Sequence, residues 1–273
     1  MARVWFVTGS SRGLGRCLVE QILASGDTVV ATARNPSQLD DLVVKYGPEK
    51  IHAVALDVTD AAQAEIAVKE AIEKFNRIDV VVNNAGYTEL ASVEDGDLAS
   101  YRKQIDINLF GVVNVTKAVL PILRQQKSGL IIQVSSISGR IGTPGSTAYQ
   151  SAKWAVGGFS TGLSQEIAPF GIKVIVAEPG FMRTGFAAIA KQHTTISEPY
   201  QQTVGEMLKG IDGALEQGSD ALDIARAIIY LSQVEDPPLR VALGDMALAY
   251  AQTTGKALAE SDEKWQHVSK MDF

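Results

Sequence analysis

The chain has 273 residues, of which 46% are hydrophobic and 21% charged, which excludes a disordered polymer and allows one substantial core. Its net charge is −6 and it has no block of Lys and Arg, so it lacks the electrostatic footprint of a nucleic-acid binder. A lone cysteine, Cys17, excludes an internal disulfide framework and agrees with a reducing compartment.

The N-terminus enters an apolar segment directly, without the basic stretch and cleavage site of a signal peptide. No run reaches the roughly 18 apolar residues of a membrane span. The expectation is a cytoplasmic chain with neither membrane nor nucleic acid as partner.

Residues 4–8 read as a strand and end in Thr8-Gly9-Ser10-Ser11-Arg12-Gly13-Leu14-Gly15, where a helical pattern over 13–24 begins. Cys17 fits that helix as a small apolar residue. Glycines between a strand and a helix let the backbone approach a pyrophosphate at the helix N-terminus, where open N–H groups and the dipole favour anions. The next strand, 28–33, ends in Ala31-Thr32-Ala33-Arg34 with no acid at its tip. Further continuous apolar runs cover 52–56, 79–82, 130–135, 173–177 and 239–243, and helical spacing fills 60–75, 97–125 and 148–170. Strands that are apolar throughout are covered on both faces, and their alternation with helices predicts a doubly wound, mostly parallel seven-stranded α/β sheet.

No linker divides residues 1–273, so one domain is expected. Residues 181–219 are the one irregular stretch and read as a substrate lid. Its near end, with Phe181, Met182, Phe186, Ala187, Ala188 and Ile189, is apolar, and its far end from Gln192 to Thr195 is polar. Residues 245–273 form an extension with a helix-favouring part over 245–260 and a polar tail containing Trp265. His52, His193 and His267 have no metal-ligand spacing, so no metal is expected.

Tyr149-Gln150-Ser151-Ala152-Lys153 puts a phenol and an ammonium on one helix face, one turn apart. A neighbouring cation favours the phenolate, which makes such a tyrosine usable as a general acid and base. The preceding strand ends Val134-Ser135-Ser136. There is no G-x-S-x-G elbow, so a serine here reads as a hydrogen-bond donor.

Together these motifs resemble the short-chain dehydrogenase/reductase family, in particular a branch with hydroxysteroid and retinol dehydrogenases and bacterial carbonyl reductases. The resemblance covers nearly the whole chain and implies a single Rossmann-type domain with helices on both faces of the sheet. It implies Ser136, Tyr149, Lys153 and Asn108 as catalytic residues, with Asn108 holding a water that links Lys153 to solvent. The spacing to Tyr149 selects Ser136 over Ser135. The cofactor-binding set it implies is Gly9, Ser11, Arg12, Gly13, Leu14, Gly15, Arg34, Asp57, Val58, Asn84, Ala85 and Gly86, with Tyr149, Lys153, Pro179, Gly180 and Thr184 at the nicotinamide end. Within that set Asp57 contacts the adenine amino group, Asn83-Asn84-Ala85-Gly86 stabilises the sheet, and Thr184 holds the carboxamide.

Two guanidinium groups, Arg12 and Arg34, suit a ribose 2′-phosphate better than a hydroxyl, so NADP(H) is expected over NAD(H). The expected activity is hydride transfer between NADP(H) and a hydrophobic ketone, aldehyde or secondary alcohol, with Tyr149 as acid and base. Phe181 and Phe186 are the expected substrate contacts. The alternative is a catalytically silent NADP(H)-binding regulator, which would not need Ser136, Tyr149 and Lys153 together. Family members commonly pair through the helices at 97–125 and 148–170, so a homodimer is expected.

Overall fold

The computed structural model describes residues 2–184 and 195–273. Seven strands form one parallel sheet: β1 (Val4–Val7), β2 (Thr28–Ala33), β3 (Ile51–Ala55), β4 (Val80–Asn83), β5 (Gly129–Val134), β6 (Ile172–Pro179) and β7 (Arg240–Leu243). Their order is β3-β2-β1-β4-β5-β6-β7, and every pairing is parallel. The order reverses between β1 and β4. The chain therefore leaves these two strands in opposite directions, and a crevice opens at their C-terminal ends. The sequence-derived strands agree in number and order and differ in bounds by a residue or two.

The helices are α1 (Gly13–Ala24), α2 (Asp40–Tyr46), α3 (Ala61–Phe75), α4 (Leu98–Ile105), α5 (Gly111–Gln126), α6 (Thr147–Ile167), α7 (Glu206–Glu216), α8 (Ala221–Leu231), α9 (Asp245–Lys264) and α10 (Gln266–Ser269). Leu18 and Ile22 of α1, Leu42 of α2 and Ile228 of α8 pack on one face of the sheet. Val68 of α3, Val119 and Leu123 of α5 and Leu163 of α6 pack on the other. Strand residues alternate between these cores: Trp5 and Val29 enter the first, Phe6 and Val30 the second. The period of two in a strand thus puts both parities in apolar surroundings, which explains the continuous apolar runs.

The α4 and α5 segments form one helical run, Leu98–Gln126, long and apolar enough to cross a membrane. Polar and charged residues interrupt it, so it contains no uninterrupted apolar run of that length. In the fold its apolar side, with Val115, Val119 and Leu123, lies in the second core. A π turn at Asp106–Phe110 bulges the run around Asn108.

The stretch read as irregular is helical in its second half, where a π turn at Gln201–Gly205 leads into α7. Its pattern is short and its partner small, since Ile211 of α7 packs mainly on Leu90. Ser197 N–H donates to Asp95 Oδ2 at 3.1 Å and the Tyr200 hydroxyl donates to Glu94 Oε2 at 2.7 Å, which pins this flap to the loop after β4. Phe186, Ala187, Ala188, Ile189, Gln192 and His193 lie outside the described residues.

Candidate active site

The glycine turn after β1 is held from two sides. Gly9 has φ +67°, and a side chain there would press on Ala85 Cα at 2.9 Å. A Cβ at Gly15 would run into the Gly9 carbonyl. Only glycine satisfies both requirements. Asn84 Nδ2 donates to the carbonyls of Thr8 (2.9 Å) and Gly9 (3.1 Å), while Thr8 Oγ1 accepts the N–H groups of Asn84 and Ala85. This cross-bracing joins the ends of β1 and β4. Asn83 Nδ2 reaches Gln133 Oε1 at 2.8 Å, extending the brace to β5.

No side chain caps the start of α1 and its first turn holds no acid. Its leading N–H groups, around Gly13 and Leu14, therefore face the crevice as an open anion cradle. Ser11 is half-buried and Arg12 exposed in the same turn. Thr184 comes back over this turn, about 3.9 Å from where a Gly13 Cβ would sit. Pro179 ends β6, and Gly180 N–H donates to the Leu243 carbonyl at 3.2 Å.

At the far end of the crevice Arg12 and Arg34 are exposed, and neither side chain has a hydrogen-bond or ion-pair partner among the described residues. Arg16, by contrast, is pinned by Glu20 and Asp41. Asp57 Oδ1 accepts the Thr59 N–H and hydroxyl. The Val58 side chain is buried against Gly111, and its carbonyl accepts from Asn114 Nδ2.

The polar centre stands beside this crevice, past the end of β5. Ser136 starts a tight turn, Ile137–Gly139, and its Oγ accepts the Ser138 N–H at 3.1 Å. The Tyr149 and Ser136 hydroxyls are hydrogen-bonded. Ser135 points elsewhere, donating to the Lys153 carbonyl at 3.3 Å, as alternation along a strand requires. Lys153 is buried, its Nζ 5.6 Å from the Tyr149 ring centroid and donating to the Val134 carbonyl at 2.8 Å.

Burial pushes the Tyr149 phenol up to about 12, and the Ser136 bond opposes that rise. Burial also brings Lys153 down to about 8. In the protein alone, then, desolvation outweighs the help that the ammonium was expected to give the phenolate.

Asn108 is fully buried. Its Nδ2 donates to the carbonyls of Tyr87 (2.6 Å) and Gln104 (2.8 Å), and its Oδ1 accepts the Tyr87 N–H at 3.2 Å. Both amide hydrogens are spent on backbone, so the side chain holds the π turn and the loop after β4 together. That loop includes Gly86, whose Cβ would lie 3.1 Å from Asn108 Oδ1.

Phe181 and Gly180 border a cavity of about 420 Å³, walled also by Arg183, Asp220, Leu243 and Met246 among others, and Ser136 and Tyr149 are not on its wall. The Phe181 backbone carbonyl accepts from Ser219 N–H at 2.9 Å, which draws this segment toward α8. Among the described residues no cluster of His, Cys, Asp or Glu is suited to a metal. His52 pairs with Glu70 and His267 stacks on Trp265.

Sequence reasoning missed Thr8 as a brace, and also Arg140, Glu178 and Arg240, which meet behind the Ser136 turn. The one available signal for the last three was an acid, Glu178, directly after the apolar run at residues 174–177.

A doubly wound parallel sheet with a glycine turn at its switch point and a Ser–Tyr–Lys group beside it defines a Rossmann-type, nucleotide-binding class of protein. The family described as short chain dehydrogenase matches residues 3–194. The chain is 54% identical over 272 residues to oxidoreductase BOA17 of Botryotinia fuckeliana, which covers 98% of each chain. A solved short-chain dehydrogenase from Streptomyces avermitilis is similar at TM-score 0.90 and 35% identity over 100% of both chains. ElxO with NADP bound has TM-score 0.76 at 26% identity, with 91% of this chain and 100% of that one covered. The chain belongs to the short-chain dehydrogenase family and is an oxidoreductase.

Proposed function

We propose that the protein transfers a hydride between NADP(H) and a hydrophobic ketone or aldehyde, or the corresponding alcohol, with Tyr149 as general acid and base. The observation that carries this reading is the meeting of Ser136, Tyr149 and buried Lys153 beside the glycine-turn crevice. A silent cofactor-binding protein has no use for a buried lysine stacked behind a desolvated tyrosine.

The residues fit a dinucleotide. The cradle of Gly9, Ser11, Gly13, Leu14 and Gly15 would hold the pyrophosphate. Asp57 and Val58 would hold the adenine, while Asn84, Ala85 and Gly86 line the middle of the crevice. Pro179, Gly180 and Thr184 would hold the nicotinamide end. Arg12 and Arg34, with no acid at the β2 tip, favour a 2′-phosphate.

When bound, the nicotinamide supplies or accepts the hydride. Ser136 donates a hydrogen bond to the substrate oxygen and stabilises the charge developing there. Tyr149 delivers its proton to that oxygen in reduction and takes it back in oxidation. Lys153 holds the phenol from behind and, as a cation, lowers the cost of its phenolate. Asn108 keeps the π turn and the loop after β4 in place.

The apolar flap residues Val204 and Met207 lie against Gly145, close to Tyr149 in sequence, which supports a hydrophobic substrate. Leu98, Phe110 and Trp154 stay exposed around α4–α6, an apolar surface that suits a homodimer. The half-buried Cys17 suits a cytoplasmic setting. The test is NADPH consumption with a panel of ketones and aldehydes, beside NADP⁺ reduction with the matching alcohols. Turnover of none of them, together with NADPH binding, would leave the silent regulator standing.

A further inference from the structure

Glu178, the penultimate residue of β6, is completely buried and holds two guanidinium groups. Its Oε2 accepts Arg140 Nε at 2.7 Å and also Arg140 Nη2. Its Oε1 accepts Arg240 Nε at 3.0 Å and also Arg240 Nη2. Arg240 Nη2 donates in addition to the Gly139 carbonyl at 3.2 Å. The triad therefore ties the C-terminal end of β6 and the start of β7 to the turn that begins at Ser136.

That turn is also wedged against α6. A Cβ on Gly139 would meet the Lys153 carbonyl at 2.9 Å and Ser135 Oγ at 3.0 Å, and Gly139 N–H donates to the Ser136 carbonyl at 2.8 Å. Arg240 lies on α6 one turn further along, where a Cβ on Gly157 would be 3.1 Å from its Cζ. The bare backbones of Gly139 and Gly157 let the turn and the guanidinium approach the helix that carries Tyr149 and Lys153.

A fully buried carboxylate held by two half-buried guanidinium groups is a poor means of stabilising strands, because well-packed apolar residues do as well without the cost of desolvating the carboxylate. What two planar forks on one carboxylate provide is direction. We propose that Glu178, acting through Arg240 and Arg140, is a positioning residue: it sets the Ser136–Gly139 turn against α6 so that Ser136 and Tyr149 meet at the substrate oxygen. The bonds of the triad reach the Ser136–Gly139 turn through the Gly139 carbonyl and touch none of the residues proposed to hold the cofactor phosphates. The proposal rests on the reading of Ser136 and Tyr149 given above.

Arg240→Met keeps the aliphatic stem and removes both the fork and the bond to Gly139, and Arg140→Met is the second variant should Arg240→Met fold poorly. With NADPH and the panel ketone turned over fastest, either variant should lower kcat about tenfold or more, as small misplacements of reacting groups do. NADPH affinity, read by fluorescence titration, should stay within about twofold, since the charge-assisted contacts proposed to hold the cofactor are untouched. In the cofactor-free enzyme, hydrogen exchange should quicken at Gly139 and Arg140 while the amides of α1 keep their protection.

The deciding measurement is a cycle with Ser136→Ala, in which Arg240→Met should have little further effect on kcat because the residue through which it acts is gone. Equal losses in both backgrounds, or a lowered Tm with kcat per folded enzyme unchanged, would overturn the positioning role. If Tyr149→Phe retained its rate, the reaction reading itself would fail instead, so the two failures are distinguishable.

Discussion

Tyr149 and Lys153 are both desolvated in the protein alone, and each makes a separate prediction. Tyr149→Phe removes one hydroxyl and almost no volume. It should leave NADPH affinity nearly intact while turnover falls by about a hundredfold or more, the range of a lost general acid; absorbance assays and fluorescence titration measure the two. Lys153 is pulled from the ordinary 10.5 to about 8, a penalty of about 3 kcal/mol on its charged form. Lys153→Met removes that penalty and leaves the Val134 carbonyl unpaired, which costs back about 1 kcal/mol.

The variant should therefore be inactive yet melt about 5 °C higher at pH 7, by scanning calorimetry. The sign follows from proton counts. Below pH 8 the lysine is charged in folded and unfolded chains alike, and the folded chain carries the full penalty. Between 8 and 10.5 the unfolded chain binds the extra proton, so wild-type stability rises with pH and the gap to the variant closes. Tyr149 acts in the opposite sense at higher pH. Held near 12 when folded against 10 when unfolded, it makes stability fall between those values.

At the scale of elements, the strand-end loops divide the labour. If Arg12 and Arg34 read the 2′-phosphate as proposed, Arg12→Ala with Arg34→Ala should raise the Kd for NADPH about a hundredfold and leave NADH within about threefold, since charge-assisted bonds carry about 1.5–3 kcal/mol each. Parallel titration of the two cofactors measures it, and equal losses would remove the 2′-phosphate assignment. Ala33 is buried in the first core, so an acid meant to turn preference toward NADH belongs at exposed Arg34, as Arg34→Asp. The flap rests on few contacts, and Tyr200→Phe deletes its bond to Glu94. A bulky ketone should then show a KM about fivefold higher at unchanged Tm, the effect of about 1 kcal/mol. Proteolysis should also cut sooner within residues 195–219.

At the scale of the molecule, the two cores and the sheet account for most apolar residues, but the surface around α4–α6 keeps Leu98, Phe110 and Trp154 outside. If that surface pairs two copies, Phe110→Asp with Trp154→Asp should halve the mass seen by light scattering at micromolar concentration while circular dichroism stays the same. A wild-type protein already monomeric there would remove the dimer. The C-terminal helix departs from the body in a different way: Ala247 is buried at its start, and residues 255–273 are exposed.

The sequence by itself determined the strands, the parallel sheet and the glycine turn after the first strand, because those depend on local and periodic signals. Both parities of a twice-covered strand must be apolar, and a turn against a pyrophosphate must be glycine. One helical turn put Tyr149 and Lys153 on a common face, and the family resemblance added Ser136. Only the tertiary structure decided the rest. That Asn108 spends its amide on Tyr87 and Gln104, that Phe181 shares a cavity wall with Arg183 and Asp220, and that residues 206–216 form a helix depend on which surfaces meet. The buried Glu178 makes the point most sharply. Its two arginines lie 38 and 62 positions away along the chain, and only the parallel order of β5, β6 and β7 brings all three charges behind one serine.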